Sequence, residues 1–192
     1  MSDVAAAKPR RFNSVFQRLM TIHWWMAGAY LLLYLGGVVM ARLPRVPIRN
    51  SMYDIHKSIG VITLILLAAR LVTLGQVAWR KYRRRSPRVN FLWYKKTLSY
   101  ALMYLMMMAV PLAGFLLSNS FRTNNVKLLG WTLPDLFPVN SAMVEPARAL
   151  HFWLAYAFLS LIVLHTIAQR NVVKANWRRF KGFVQKRFRN PV

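Results

Sequence analysis

The sequence predicts an all-α protein, a transmembrane four-helix bundle with both termini in the cytoplasm. Three observations carry this. Of 192 residues, 56% are hydrophobic, above the roughly 45–50% usual for soluble domains. Four apolar runs each reach the roughly 20 residues that cross a hydrocarbon core as a helix. The basic residues cluster in alternate connections, the positive-inside pattern. An isolated apolar run in lipid must satisfy its own backbone, which a helix does and a lone strand does not.

In chain order, the runs predict helices over about 21–41, 55–79, 97–118 and 148–168. The first follows a basic N-terminus, and Val39-Met40-Ala41 resembles a signal cleavage site. The run from Ile22 is longer than the roughly 7–15 residues of a signal-peptide core, so a retained anchor is expected. Residues 42–54, with Pro44 and Pro47, read as a short outward turn. The second helix leads into the basic inner loop 80–96, and Trp79, Trp93 and Tyr94 mark its borders, as interfacial aromatics do. Residues 119–147 are the one sizeable outer segment. Leu128-Leu129-Gly130-Trp131 and Leu133-Pro134-Asp135-Leu136-Phe137-Pro138 make it apolar enough to cap the bundle or lie on the interface. One membrane domain, 1–170, is expected. The tail 171–192 alternates bases with Trp177, Phe180, Val184 and Phe188, the pattern of an amphipathic helix on anionic lipid.

Net charge is +24, which raises nucleic acid as a partner. Most bases, however, lie in 1–22, 80–96 and 170–192, beside membrane borders, while Asp54, Asp135 and Glu145 lie on the other side. Anionic membrane lipid is therefore the expected counter-charge, with no nucleic acid. Cysteine is absent, which excludes disulfides, thiolate metal sites and iron–sulfur clusters.

The chain has four histidines, His23, His56, His151 and His165, all in or at the rim of apolar runs, where ionisable groups carry a functional expectation. His151 and His165 are fourteen residues apart on one helix, which places them on one face roughly 21 Å apart. Depth counting sorts the four into an outer pair, His56 with His151, and an inner pair, His23 with His165. Each pair takes one ring from each of two helices, as cofactor sites in bundle cores do. Two imidazoles supply both axial positions of a haem iron; zinc would need further ligands, and none is available at that depth. Gly36 and Gly37 follow His23 on its face at the outer level, and Gly60 lies one turn below His56, so each lets a flat ring approach the backbone. The same glycines also suit close helix packing. Arg70 lies fourteen residues after His56, near the inner pair, and a buried guanidinium there calls for an anion such as a haem propionate, or for a quinone oxygen. Snorkelling to the interface is the other reading of Arg70. Arg42, Arg45, Arg49, Lys57 and Arg148 are rim bases suited to outer propionates.

The chain resembles the bacterial cytochrome b561 family over about residues 14–170. The resemblance rests on Gln17-Arg18-Leu19-Met20-Thr21-Ile22-His23-Trp24, on Ile55-His56-Lys57-Ser58-Ile59-Gly60, and on Arg70-Leu71. Tyr104, Pro111 and Gly114 on the third helix carry it further, with His151-Phe152-Trp153 and Leu164-His165 on the fourth. It implies a multi-pass protein of the bacterial cytoplasmic (inner) membrane with two haem b groups, exchanging electrons with the quinone pool; some members are similar to superoxide oxidases. The chain departs from the family at Tyr100 and at Ala168-Gln169-Arg170, where histidines are frequent.

The expected function is a dihaem b cytochrome carrying electrons between ubiquinone or its quinol and a periplasmic-side partner, either superoxide or a redox protein. Arg45, Arg49, Lys57, Arg122, Lys127 and Arg148 suit the steering of superoxide, an anion. An alternative is a haem-bearing membrane anchor in a larger respiratory complex, serving a periplasmic dehydrogenase or an oxidase. A third reading is a histidine-based proton or metal transporter, which predicts no haem.

Overall fold

The computed structural model describes residues 14–44, 46–83 and 89–189. The basic N-terminal stretch, Arg45 and the run 84–88 lie outside the described residues, as do the side chains of Phe180, Val184 and Phe188. Among the described residues five α-helices form: α1 (Ser14–Arg42), α2 (Pro47–Tyr82), α3 (Phe91–Phe121), α4 (Val144–Ala168) and α5 (Arg170–Arg189). Between α3 and α4 lie β1 (Lys127–Leu128), β2 (Trp131–Thr132) and a 3₁₀ turn at Ser141–Met143.

Each of the four predicted membrane helices is present and is longer than its apolar run. All four are long and apolar enough to cross a membrane, α4 together with its preceding 3₁₀ turn. The connection predicted at 42–54 is much shorter. Pro47 occupies the first turn of α2, where its missing N–H costs nothing and its fixed φ suits a helix. The polar turns before Ile55 thus continue the helix, and α2 has 36 residues, about 54 Å. At the start of α3 the Asn90 side chain accepts the Trp93 N–H at 2.8 Å, an N-cap that satisfies an otherwise unpaired donor. Asn140 caps the 3₁₀ turn in the same way through Ala142 N–H.

The helices pack as two hairpins, α1 along α2 and α3 along α4, with a shorter α2–α3 contact. No Cα of α4 comes within 8 Å of α1 or α2. Side chains alone fill that seam. At mid-height a packed belt closes it: Met26, Tyr30, Leu67, Met107 and Phe158 form one buried cluster. The Tyr30 and Phe158 rings meet edge to face at 5.1 Å, a favoured aromatic geometry. The Tyr34 hydroxyl also crosses the seam, donating to the Ala155 carbonyl at 2.9 Å.

A second cluster, Val61, Phe115 and Val126, ties the α3–α4 connection to the bundle, with Leu64, Leu128, Leu133 and Phe137 around it. The connection thus caps one end of the helices, as its apolar content suggests. Buried polar groups fix it further. The Asn119 amide donates to Asp135 at 2.6 Å, and its oxygen accepts the Leu136 N–H at 3.0 Å. Asp135 also accepts the Asn124 N–H. Asn119 is fully buried, so these bonds answer the requirement that a buried amide be satisfied.

Candidate functional site

The belt divides the seam into two levels, and each level holds two histidines. His56 on α2 faces His151 on α4 with ring centroids 6.4 Å apart and planes at 83°. His23 on α1 faces His165 on α4 with centroids 6.4 Å apart and planes at 75°. The structure therefore brings together both pairs expected from depth counting. A metal–imidazole bond of about 2 Å adds to roughly 1 Å from ring nitrogen to ring centre on each side. Two rings sharing one metal thus need about 6 Å between centroids, close to the spacing of both pairs.

His151 is oriented by its surroundings. Its Nδ1 lies 3.0 Å from the Val110 carbonyl. A carbonyl only accepts, so Nδ1 carries the hydrogen and Nε2 keeps a free lone pair. Metal-ligating histidines are commonly held by such a bond from the other ring nitrogen. The ring also lies flush against α3 at Gly114, where an added Cβ would stand 3.2 Å from His151 Cε1 and 3.3 Å from Nδ1. Gly114 therefore makes room for the ring. It was not among the candidate glycines, and its signal was its place in the third-helix motif with Pro111. His56 presents the complementary case: its Nδ1 is buried without a hydrogen-bond partner.

The predicted glycines divide. An added Cβ at Gly37 would meet His56 Cε1 at 3.8 Å, an ordinary contact. Gly36 lines a half-open apolar pocket of about 100 Å³ with His56, Leu32, Met52, Ile55 and Ile59. Nothing lies within 4 Å of a Cβ at Gly36 or at Gly60. Gly60 is thus not brought against any ring, though the space beside it is open.

Arg70 lies at the level of the inner pair, within electrostatic reach of both His23 and His165. Its Nε donates to the Tyr104 hydroxyl at 3.0 Å, and the guanidinium lies 5.8 Å from that ring. Its Nη1 is buried and has no partner. No acidic side chain pairs with it among the described residues. This is a fixed cation with an unused donor, suited to an anionic group at that level. Tyr104 as its holder, and Tyr100 with its ring 6.3 Å from His165, are site residues that spacing did not reveal.

The rim bases near His56 are mostly engaged. Lys57 pairs with Asp54 at 2.8 Å and donates to the Asn125 carbonyl at 2.8 Å. Arg148 pairs with Glu145 at 3.0 Å, and Arg49 donates to the Tyr53 hydroxyl at 3.1 Å. Among the described residues no group of three or more His, Cys, Asp or Glu gathers as a metal cage. The donor sets are pairs of imidazoles, which suit a macrocycle that brings its own equatorial ligands. The paired spacing, the open space at Gly36, the room at Gly114 and the unused Arg70 donor all fit such a group.

The chain is similar to known proteins. The family described as prokaryotic cytochrome b561 matches residues 16–179. Cytochrome b561 homolog 2 of Escherichia coli (strain K12) is 28% identical over 120 residues, covering 58% of this chain and 58% of that protein. The chain thus spans somewhat more than half the length of this relative. Because the family match runs through all four membrane-length helices and both histidine pairs, the chain belongs to the prokaryotic cytochrome b561 family, and is a multi-pass bacterial membrane protein.

Proposed function

We propose that the chain binds two b-type haems, one between His56 and His151 and one between His23 and His165, and carries electrons across the bacterial inner membrane. One observation carries this reading: two imidazole pairs at two levels of one seam, each 6.4 Å apart. When bound, haem would supply one-electron exchange, with His56 and His151 holding one group and His23 and His165 the other. The protein's part is to hold and tune. Val110 and Gly114 set the His151 ring, Arg70 would bind an anionic group of the inner cofactor, and Tyr104 keeps Arg70 in place. The belt between the levels keeps the seam dry.

The His56 end is assigned to the periplasm and the His23 end to the cytoplasm, with both termini inside, by the distribution of bases. A fluorescent protein fused at the C-terminus should glow, and a periplasmic phosphatase fused there should be inactive; the opposite pair of results reverses the orientation. The basic helix α5 then lies on the cytoplasmic leaflet, with Val172, Val173 and Trp177 exposed, each well-placed base adding about 1 kcal/mol on anionic lipid.

Ubiquinone or its quinol is the proposed partner within the membrane, and superoxide the proposed partner outside. Arg122 and Lys127 are exposed beside the His56 end and, unlike Lys57 and Arg148, carry no acidic partner among the described residues. If they steer superoxide, its oxidation rate falls as salt rises; a flat response removes superoxide steering. A docking role in a larger respiratory complex draws on exposed Phe121, Leu136 and Val139 at the same end. A stoichiometric partner after mild detergent extraction would favour that second reading.

The decisive experiment is a reduced-minus-oxidised spectrum with a haem-to-protein ratio. Two haems per chain are expected, and one after His56→Ala. A colourless, folded protein would overturn the proposal and favour a transporter.

A further inference from the structure

The α3–α4 connection turns back toward the bundle and contains a hairpin with an apolar tip. Strands β1 and β2 pair Lys127 with Thr132 and Leu128 with Trp131, leaving Leu129 and Gly130 as a two-residue turn. Both turn residues have positive φ, 50° and 95°, the mark of a type I′ turn, where Asn, Asp or Gly usually stands first. Here Leu129 occupies that strained position, and it is 79% exposed. Trp131 beside it is 81% exposed. Strain retained at an exposed apolar residue points to a contact that this residue makes.

The depth of the hairpin identifies the contact. The Ser58 hydroxyl donates to the Lys127 carbonyl at 2.8 Å, so β1 lies beside α2 just below His56. The hairpin's base packs still lower, against Val61 and Phe115 with Leu64 nearby. On α2 the bases Lys57 and Arg80 bracket the apolar stretch and stand 23 positions apart, about 34 Å along the helix, against a hydrocarbon core of about 30 Å. The hydrocarbon boundary therefore falls within about a turn of Lys57, at the level of the hairpin. By contrast, α3 continues to Phe121, seven residues past Gly114 and about 10 Å further toward water.

We propose that Leu129-Gly130-Trp131 is an interfacial anchor seated in phospholipid, at the headgroup–acyl boundary of the leaflet at the His56 end. The tip would hold the connection down over the α2–α3 seam, so the cover of the His56–His151 level is fastened to the bilayer as well as to the bundle. Tryptophan favours this boundary because its ring is apolar and its N–H is polar, and Lys127 meets the phosphates. The anchor is independent of which group the histidines bind.

The natural absence of cysteine makes the test direct. Single spin labels at Leu129→Cys, Trp131→Cys and, as the aqueous reference, exposed Thr123→Cys are placed on the full chain in nanodiscs of phosphatidylethanolamine and phosphatidylglycerol. At 129 and 131 the ratio of collisions with oxygen to collisions with a water-soluble nickel chelate should exceed the Thr123 ratio at least about threefold. Equal ratios, or labels that stay water-exposed until another protein is added, overturn the proposal, the latter assigning the tip to a protein partner. Trp131→Phe provides a label-free check: the emission it removes should be the part quenched by brominated phospholipid, and an unquenched difference overturns the anchor.

Discussion

Single residues decide whether each histidine ring is presented correctly. Gly114 is the sharpest case, since a Cβ there stands 3.2–3.3 Å from the His151 ring. Gly114→Val should push the ring off Val110 and lose the haem of the His56 pair, while the His23 pair keeps its own. Overpacking of this kind costs about 1–3 kcal/mol. The measurement is haem per chain with the band shape of the reduced spectrum; two haems with unchanged bands would show that α4 shifts to accommodate the side chain. Arg70 poses a different question, because its charge is buried and one of its donors is unused. Tyr104→Phe removes only the 3.0 Å bond to Nε and keeps the ring. Loss of a hydrogen bond to a charged group costs about 1.5–3 kcal/mol, so the detergent-solubilised protein should melt lower. The midpoint potential of the inner haem should also shift, while the outer one stays. Equal movement of both potentials would mean that Tyr104 acts on the fold and not on Arg70. Much of this site is legible in the sequence, since depth and face are set by helical periodicity alone, and His23, His56, His151, His165 and Arg70 follow from counting along helices. The Val110 carbonyl is not legible, and the third-helix motif marks Tyr104 and Gly114 without their roles, because these depend on which helices become neighbours and on how a ring turns.

Among the elements, the membrane helices were plain from apolar length, but their ends were not. Residues 48–54 are mostly polar and follow two prolines, so composition reads as a turn; Pro47 at the first helical position turns the same residues into helix start. Hydropathy marks where lipid begins, and the backbone continues past it. The α3–α4 connection was legible only as apolar. Its shape comes from a few long-range polar bonds, above all those of buried Asn119. Asn119→Ala strands the Leu136 N–H and takes a partner from Asp135; both residues are exposed, so water replaces part of the loss and each bond is worth about 0.5–1.5 kcal/mol. The expected result is faster proteolysis within 122–140, with membrane insertion and the His23–His165 level unchanged. Unaltered cleavage would mean that the apolar cluster around Val126 holds the connection alone.

For the whole molecule, the central fact is that two hairpins meet across a seam that only side chains fill, with a histidine pair on each side of a packed belt. The pairs share α4 but are otherwise built from separate helices, α2 above and α1 below. Loss of one pair should therefore be local, whereas loss of the belt should reach both. Among the described residues Phe158 is the largest fully buried side chain, and it meets Tyr30 across the seam. Phe158→Ala leaves a cavity between the levels and should destabilise the bundle by about 3–5 kcal/mol. Both haems should then bind less firmly, because the hairpins lose the spacer that sets the distance across both pairs. In His56→Ala, by contrast, the inner haem should stay and be reduced by quinol, while electron passage to the other side of a proteoliposome stops. Reduction of an enclosed acceptor, measured beside haem content for both variants, separates the two cases. Should Phe158→Ala lose one haem and keep the other intact, the belt would be a neighbour of one site and not the common support of two.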